Sequence, residues 1–373
     1  MNRVTNGRCC WLMSQLTTNY LTPSGREEAW RFTPLKKLAG LHDLDVAVSD
    51  NISLFAKNDL PKGVEITNIN SSDLPPAYVA SDIVTNRVRK VVDKSTLLTI
   101  SDDLEIVGPI FLKRKCGVGA ELSRVVIQVG VNSRATLIIE NNGLGRLGEE
   151  IEISLAAGSS LNFISLQEWE QNSVHVAQHH AIIGKDAQFN SYVVSIGGSA
   201  IRISPTVEYT GMGASAEMNG VYFATDEQHI EHRIHVNHGV PNTKSRVNYK
   251  GALAGKGAHT VWIGDVYINK SAEGTDTYEL NRNLLLTDGA RADSVPNLEI
   301  ETGEIVGAGH ASTTGRFDDE QLFYLQSRGI PAGIARRLVI RGFFAEIINK
   351  LKNEEIEERL MARIETELSR VGE

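Results

Sequence analysis

A predominantly β fold held between helical ends is predicted by three features of the chain. Helical periodicity is missing for roughly two hundred residues in the middle, where short β-branched runs are broken by Gly, Asn and Asp. Small residues recur at near-constant intervals just ahead of those runs. Both ends, by contrast, carry helix caps and apolar residues at helical spacing. The organisation expected is a helical and mixed N-terminal region over 1–95, a strand core over 96–315 and a helical C-terminal domain over 316–373.

In the first region, Ser24 with Glu27 three residues later reads as a capping box, and "REEAWRF" as the helix that it opens. Thr33-Pro34 restarts a helix, with Thr33 as N-cap and proline where a missing N–H costs nothing. The proline pair in "SSDLPPAY" (71–78) marks a loop.

The core contains "VVIQVGV" (125–131), "ATLIIE" (135–140), "IEISL" (151–155) and "LNFISL" (161–166), all read as strands. Ala135, Ser160, Ala187 and Ala214 recur at intervals of 25, 27 and 27 residues. A repeat of that length without helices suggests a solenoid of stacked strand coils, small residues letting the chain turn tight corners. An antiparallel sandwich is the other arrangement this composition permits.

In the last region Asp318 with Gln321 is a cap pattern, "EQLFYLQS" a first helix and Gly329 its left-handed stop. Pro331 opens a second helix carrying Leu338, Phe343, Phe344, Ile347, Ile348 and Leu351. Ile356, Leu360, Ile364 and Leu368 then recur every four residues among Glu and Arg. That last face is expected to pack on its own chain or on a partner protein.

Bulk properties exclude several functions. A net charge of −8 argues against a nucleic-acid binder, which needs clustered cations; Lys113-Arg114-Lys115 and Arg336-Arg337 read as solvated faces. Three cysteines, Cys9, Cys10 and Cys116, form no CxxC and no even framework, as in a reducing compartment. The apolar patch from Cys9 to Met13 is too short for a signal peptide, and no run of about eighteen apolar residues occurs. A cytoplasmic location without membrane attachment is expected.

Two histidine settings invite chemistry. "HIEHRIHVNHG" places His229, His232, His235 and His238 on one strand, whose alternation sends His232 and His238 inward with Ile230, Ile234 and Val236. His229, Glu231, Arg233 and His235 are then expected to face solvent. A zinc or iron site centred on His232 or His235 needs ligands from a neighbouring strand, with His175, His179 and His180 available. This supports one alternative, a metal-dependent β-helix or cupin-like enzyme. The second setting is His310, alone among Gly, Ala, Ser and Thr where the strand core gives way to helices. Small neighbours leave the ring reachable as a ligand or proton carrier, at a solenoid end where partners add strands.

"GALAGKG" (251–257) falls one residue short of a phosphate loop and continues with Gly257, so any nucleotide-driven step must come from another subunit. No GxSxG, HExxH or dinucleotide fingerprint in a βαβ context occurs.

Four blocks, "EEAWRFTPL", "SRVNYKG" (245–251), "NRNLLLTDGARADSVPNLEI" (281–300) and "GHASTTGRFDDEQLFYLQSRGI" (309–330), resemble the SufB/SufD family of SUF iron–sulfur cluster assembly proteins. The resemblance implies a right-handed parallel β-helix between helical ends. It also implies a non-catalytic subunit that pairs with a SufB-like sibling and a SufC-like ABC ATPase, sharing a transient cluster or iron. Where B-type members use a cysteine this chain has Ala290, and Ala311 follows His310 where they have glutamate, so the match is to the D-type. Some D-type members have a cysteine where Ala308 stands. The family's role for its histidine carries over to His310, as cluster or iron ligand at the subunit interface. Thiolates dominate iron–sulfur ligation, and a histidine in their place suits a cluster that must be handed on. The docking region for the ATPase carries over to Asp318, Asp319, Gln321, Leu322, Phe323, Tyr324 and Arg328, through which ATP-driven motion could open the interface. Self-pairing through the β-helix end is expected when the sibling is absent.

Overall fold

The computed structural model describes residues 21–49, 54–74, 76–317 and 319–371. Its strands, in chain order, are β1 (Phe55–Ala56), β2 (Val64–Asn70), β3 (Lys94–Ile100), β4 (Glu105–Cys116), β5 (Ala120–Val129), β6 (Arg134–Gly143), β7 (Arg146–Leu155), β8 (Ser160–Trp169) and β9 (Val174–Ile183). They continue with β10 (Gln188–Gly197), β11 (Ala200–Tyr209), β12 (Ser215–Thr225), β13 (His229–His238), β14 (Lys244–Ala254), β15 (His259–Ile268), β16 (Asp276–Leu285), β17 (Arg291–Ile300) and β18 (Gly307–Arg316). Four α-helices accompany them among the described residues: α1 (Ile83–Val91), α2 (Asp319–Ser327), α3 (Ala332–Ile348) and α4 (Glu354–Val371).

Even-numbered strands from β4 to β18 stack in one sheet and odd-numbered strands from β3 to β17 in the other, each paired in parallel with the strand one coil away. The result is a parallel β-solenoid of about eight turns, which settles the choice between solenoid and sandwich. Among the described residues, antiparallel pairing occurs only at its start, where β1 joins β4 and β2 joins β3.

The corners explain the repeat. Each even strand from β6 to β16 follows a left-handed residue and then a small buried one: Asn132-Ser133, Gly158-Ser159, Asp186-Ala187, Gly213-Ala214, Asn242-Thr243 and Gly274-Thr275. Asn or Asp alternates with Gly for a steric reason. A Cβ on Gly158 would lie 2.5 Å from Oδ1 of Asn132, and one on Gly213 would lie 2.1 Å from Oδ1 of Asp186. The side chain of one coil therefore fills the space that glycine leaves in the next, and glycine also tolerates the positive φ. Ala187 and Ala214 are true corner residues. Ala135 and Ser160 are displaced, since the equivalent corners are Ser133 and Ser159; the structural steps over these four corners are 26, 28 and 27 residues.

Inward side chains fill the lumen with Leu, Ile and Val and with Phe163, Trp169, Tyr222, Tyr249 and Trp262. Both outer faces are also covered, so the strands read as almost continuously buried. Over the even sheet, Ile340, Phe344, Ile347 and Ile348 of α3 and Ile356, Leu360 and Ile364 of α4 pack on Ile164, Tyr192, Val221 and Phe223. The amphipathic face of α4 is thus covered by its own chain. Leu338, expected on the buried stripe, is 46% exposed. Gly329 ends α2 at φ +82°, and Pro331 precedes α3. Asp318, read as the α2 cap, lies outside the described residues, as do Cys9, Cys10 and Met13.

The N-terminal expectations need correction. The helix read from "REEAWRF" is a single 3₁₀ turn, Glu28–Trp30. The Glu27 carboxylate does accept from the Ser24 N–H at 3.0 Å and its hydroxyl at 2.8 Å. The helix expected from Thr33-Pro34 is another 3₁₀ turn, Leu35–Leu38, without a side-chain cap. Thr33 instead donates its hydroxyl to Glu231 Oε2 at 2.7 Å, so tertiary pairing replaces the cap. Trp30, Leu38 and Leu41 then pack with Ile83, Val84, Val174 and Val176 over the odd sheet. Helix α1, not foreseen, is capped by Asp82, which accepts from the N–H groups of Val84 and Thr85 and pairs with Arg202. No described helix is long and apolar enough to cross a membrane.

Candidate functional site at the open end of the solenoid

Strands β17 and β18 end the two sheets, so their outer backbone edges carry no further strand among the described residues. His310 lies on β18 and is exposed. Parallel register aligns it with Glu279 of β16, and Ser312 with Asn281, so His310 belongs to the column that points into the lumen below. Ala308 packs against the lumen core two residues before it, and Ala290 lies in the corner that leads into β17.

Glu279 was not singled out from the sequence. It is 1% exposed, and neither carboxylate oxygen has a hydrogen-bond partner among the described residues. Its carboxyl reaches across to Gly264, where a Cβ would sit 2.8 Å from Oε1. Burial, with the nearby charge of Asp265 second, pushes its pKa up to about 8. The clue lay in "DTYELNRN", a strand that alternates polar residues on its inward face: Thr277, Glu279, Asn281 and Asn283.

Beside Glu279 the lumen is closed by a polar network. Asn281 donates to the Tyr222 hydroxyl at 2.9 Å, Tyr222 to Asn283 at 2.7 Å, and Asn283 back to Asn281 at 2.7 Å. Ser294 of β17 donates to Asn281 Oδ1 at 2.8 Å, tying β17 to β16 across the lumen beneath the His310 column.

Further down the solenoid lie the histidines of β9 and β13. His232 is inward, as the alternation predicts, and shares a hydrogen bond with Ser195 at 3.0 Å. His238 is also inward and satisfied, bonded to Thr243 at 2.7 Å and Ser245 at 2.9 Å. His175 meets Glu149 at 3.1 Å, and Glu149 pairs with Arg114. Arg114 is therefore fully buried in the lumen, a correction to the solvated face expected of Lys113-Arg114-Lys115. Burial lowers the pKa of His179 to about 4 and of His232 to about 3.

On the outer face the expectation of solvent fails for His229 and Glu231, which are 2% and 0% exposed. The N-terminal segment covers them, bringing Thr33 and Ala29 against Glu231 and Arg233. His235 does point outward, aligned with Asp265 on β15 and with Thr206 and His180 on β11 and β9. The seven histidines of β9 and β13 are thus divided between two faces. Among the described residues no group of three or more His, Cys, Asp or Glu side chains could hold a metal ion.

The docking candidates follow β18 directly. On α2, Phe323 and Tyr324 are 72% and 57% exposed, and the Arg328 guanidinium lies over the Tyr324 ring at 5.2 Å. Leu322 is half-buried, and the side chains of Asp319 and Gln321 lie outside the described residues. Leu338 and Ile334 of α3 are also exposed, which leaves apolar surface available for a partner.

Comparison with known proteins gives this geometry a context. The SUF system FeS cluster assembly, SufBD core domain, matches residues 112–343. The iron-sulfur cluster assembly SufBD family protein Rv1462 of Mycobacterium tuberculosis is 47% identical over 356 residues, 93% of this chain and 89% of its own length. The iron-sulfur cluster assembly protein SufD of Escherichia coli is 25% identical over 376 residues, covering 92% of this chain and 88% of that protein. The SufBD family protein Rv1461 of Mycobacterium tuberculosis is 29% identical over 204 residues, 55% of this chain and 24% of its own. With its solenoid core matched and most of its length aligned to such a relative, the chain belongs to the SufBD family and has a role in SUF-system iron–sulfur cluster assembly.

Proposed function

We propose that the chain is a non-catalytic, SufD-like subunit of a SUF assembly complex, pairing with a SufB-like scaffold and a SufC-like ABC ATPase. The observation that carries this reading is His310: an exposed imidazole in the lumen-facing column of the last strand, beside two unpaired sheet edges. Edges of that kind recruit a partner by main-chain pairing. A partner strand added there would bring its own thiolate or carboxylate ligands up to His310, completing a site that this chain holds only in part. Iron or a nascent cluster is then shared cargo, released readily because one ligand is an imidazole.

The ATPase is assigned to the exposed face that follows β18, with Phe323, Tyr324 and Arg328 at its centre. Nucleotide is bound by that partner and not by this chain. Because α3 and α4 rest on the outer face of the even sheet, force applied to α2 has a short mechanical route to β18. The name of the Escherichia coli relative supports the D-type assignment. The test is anaerobic recovery of the tagged chain from its own cells, with mass spectrometry and iron and labile-sulfide assays. Co-recovery of an ABC ATPase and a SufB-like sibling supports the reading. A chain recovered without either partner and without labile sulfide would refute it.

A further inference from the structure

We propose a second site, for a single divalent cation of the zinc, cobalt or ferrous type, between His229 of β13 and His259 of β15 on the outer face of the odd sheet. The two imidazoles stand in register on adjacent parallel strands, with Nδ1 facing Nδ1 at 3.3 Å. Each ring uses its other nitrogen for a carboxylate: His229 Nε2 lies 3.2 Å from Glu231 Oε2, and His259 Nε2 lies 2.7 Å from Asp293 Oδ2.

Those carboxylates are ion-paired and so accept only. Glu231 meets Arg202 and Arg233 at 3.3 Å each, and Asp293 meets the Arg291 side chain at 2.9 Å. With both imidazoles neutral, each Nε2 carries hydrogen toward its carboxylate, which leaves a lone pair on each Nδ1. Two lone pairs aimed at one another repel unless a positive centre lies between them. Two metal–nitrogen bonds of about 2.1 Å meeting at a tetrahedral angle place their nitrogens about 3.4 Å apart, close to the separation seen. Carboxylates on the far nitrogens are the usual outer partners of metal-bound histidines, fixing the tautomer and strengthening the ligand.

The ring of His259 is 24% exposed, so solvent can reach the site and fill the remaining positions. Glu231 also accepts from Thr33, and Arg233 donates to the Ala29 carbonyl, so an occupied site would brace the N-terminal segment against the solenoid. This site is on the opposite face from the C-terminal helices and independent of the proposed role of His310.

The experiment is titration of the full-length chain, stripped with a chelator, with Co²⁺ followed by its visible absorption and competed with Zn²⁺. One equivalent with tetrahedral-type bands is expected. Binding should be lost in His259→Ala, weakened ten- to a hundred-fold in Asp293→Asn, and unchanged in His310→Ala. Saturating Zn²⁺ should raise the thermal midpoint of the wild type and leave that of His259→Ala where it was. Absence of a stoichiometric site, or binding that survives both His259→Ala and Asp293→Asn, would overturn the proposal. So would a nitrogen-detected spectrum showing one proton shared by the two Nδ1 atoms in the presence of excess Zn²⁺.

Discussion

Replacing Glu279 by glutamine removes a charge from the lumen end while keeping the side chain's shape. A carboxyl that titrates near 8 in place of the usual value near 4.5 is held neutral by its surroundings. At about 1.4 kcal/mol per pH unit, the gap between 4.5 and about 8 means that its ionisation costs the folded state about 5 kcal/mol, as an upper bound. The folded chain keeps this proton while the unfolded chain has already released it, so the group's contribution is complete below about pH 4.5 and is lost as pH rises to about 8. Glu279→Gln should match the wild type at pH 4 and be more stable at pH 9 by several kcal/mol. Solenoid coils open locally from their ends, so urea melts should be paired with amide hydrogen exchange on β16 to β18. Parallel pH profiles for the two proteins would refute the reasoning, because they would mean that Glu279 is solvated or partnered in its ionised form.

Three further outcomes concern the scaffold. Glu149→Gln should destabilise the chain by about 3–5 kcal/mol, because it strands the buried Arg114 cation, whereas the double change Arg114→Met with Glu149→Met should cost far less; a denaturant double-mutant cycle measures the difference. Phe344→Ala should cost about 3–5 kcal/mol by loosening α3 from the even sheet, read as a lower urea midpoint. Gly213→Ala should destabilise through both its positive φ and its clash with Asp186, and Asp186→Gly in the same chain should relieve only the clash, so the combined thermal shift should be smaller than the sum.

The fold class was legible because a solenoid repeats the same physical requirement at every corner. A left-handed residue and a small one must appear on each coil, and that signal survived even though Ala135 and Ser160 mark the wrong positions. Strand alternation correctly sent His232 and His238 inward. It failed for His229 and Glu231 because alternation distinguishes lumen from exterior and cannot say whether the exterior is covered. The covering segment was itself misread: Thr33 looked like a helix cap, and its hydroxyl is spent on Glu231, 198 residues away. His310 was conspicuous from its small neighbours and its place at a change of architecture. Glu279 was not, since a glutamate among strand residues looks ordinary until register places it under His310 with no partner.

The most direct test of the account is anaerobic co-purification of the tagged wild type and of His310→Ala, with iron and labile sulfide measured on each eluate. The account predicts that the partners are recovered equally with both chains, while iron and sulfide fall sharply with His310→Ala. Unchanged iron and sulfide in an intact complex would contradict it, leaving the open end of the solenoid as a docking surface and nothing more.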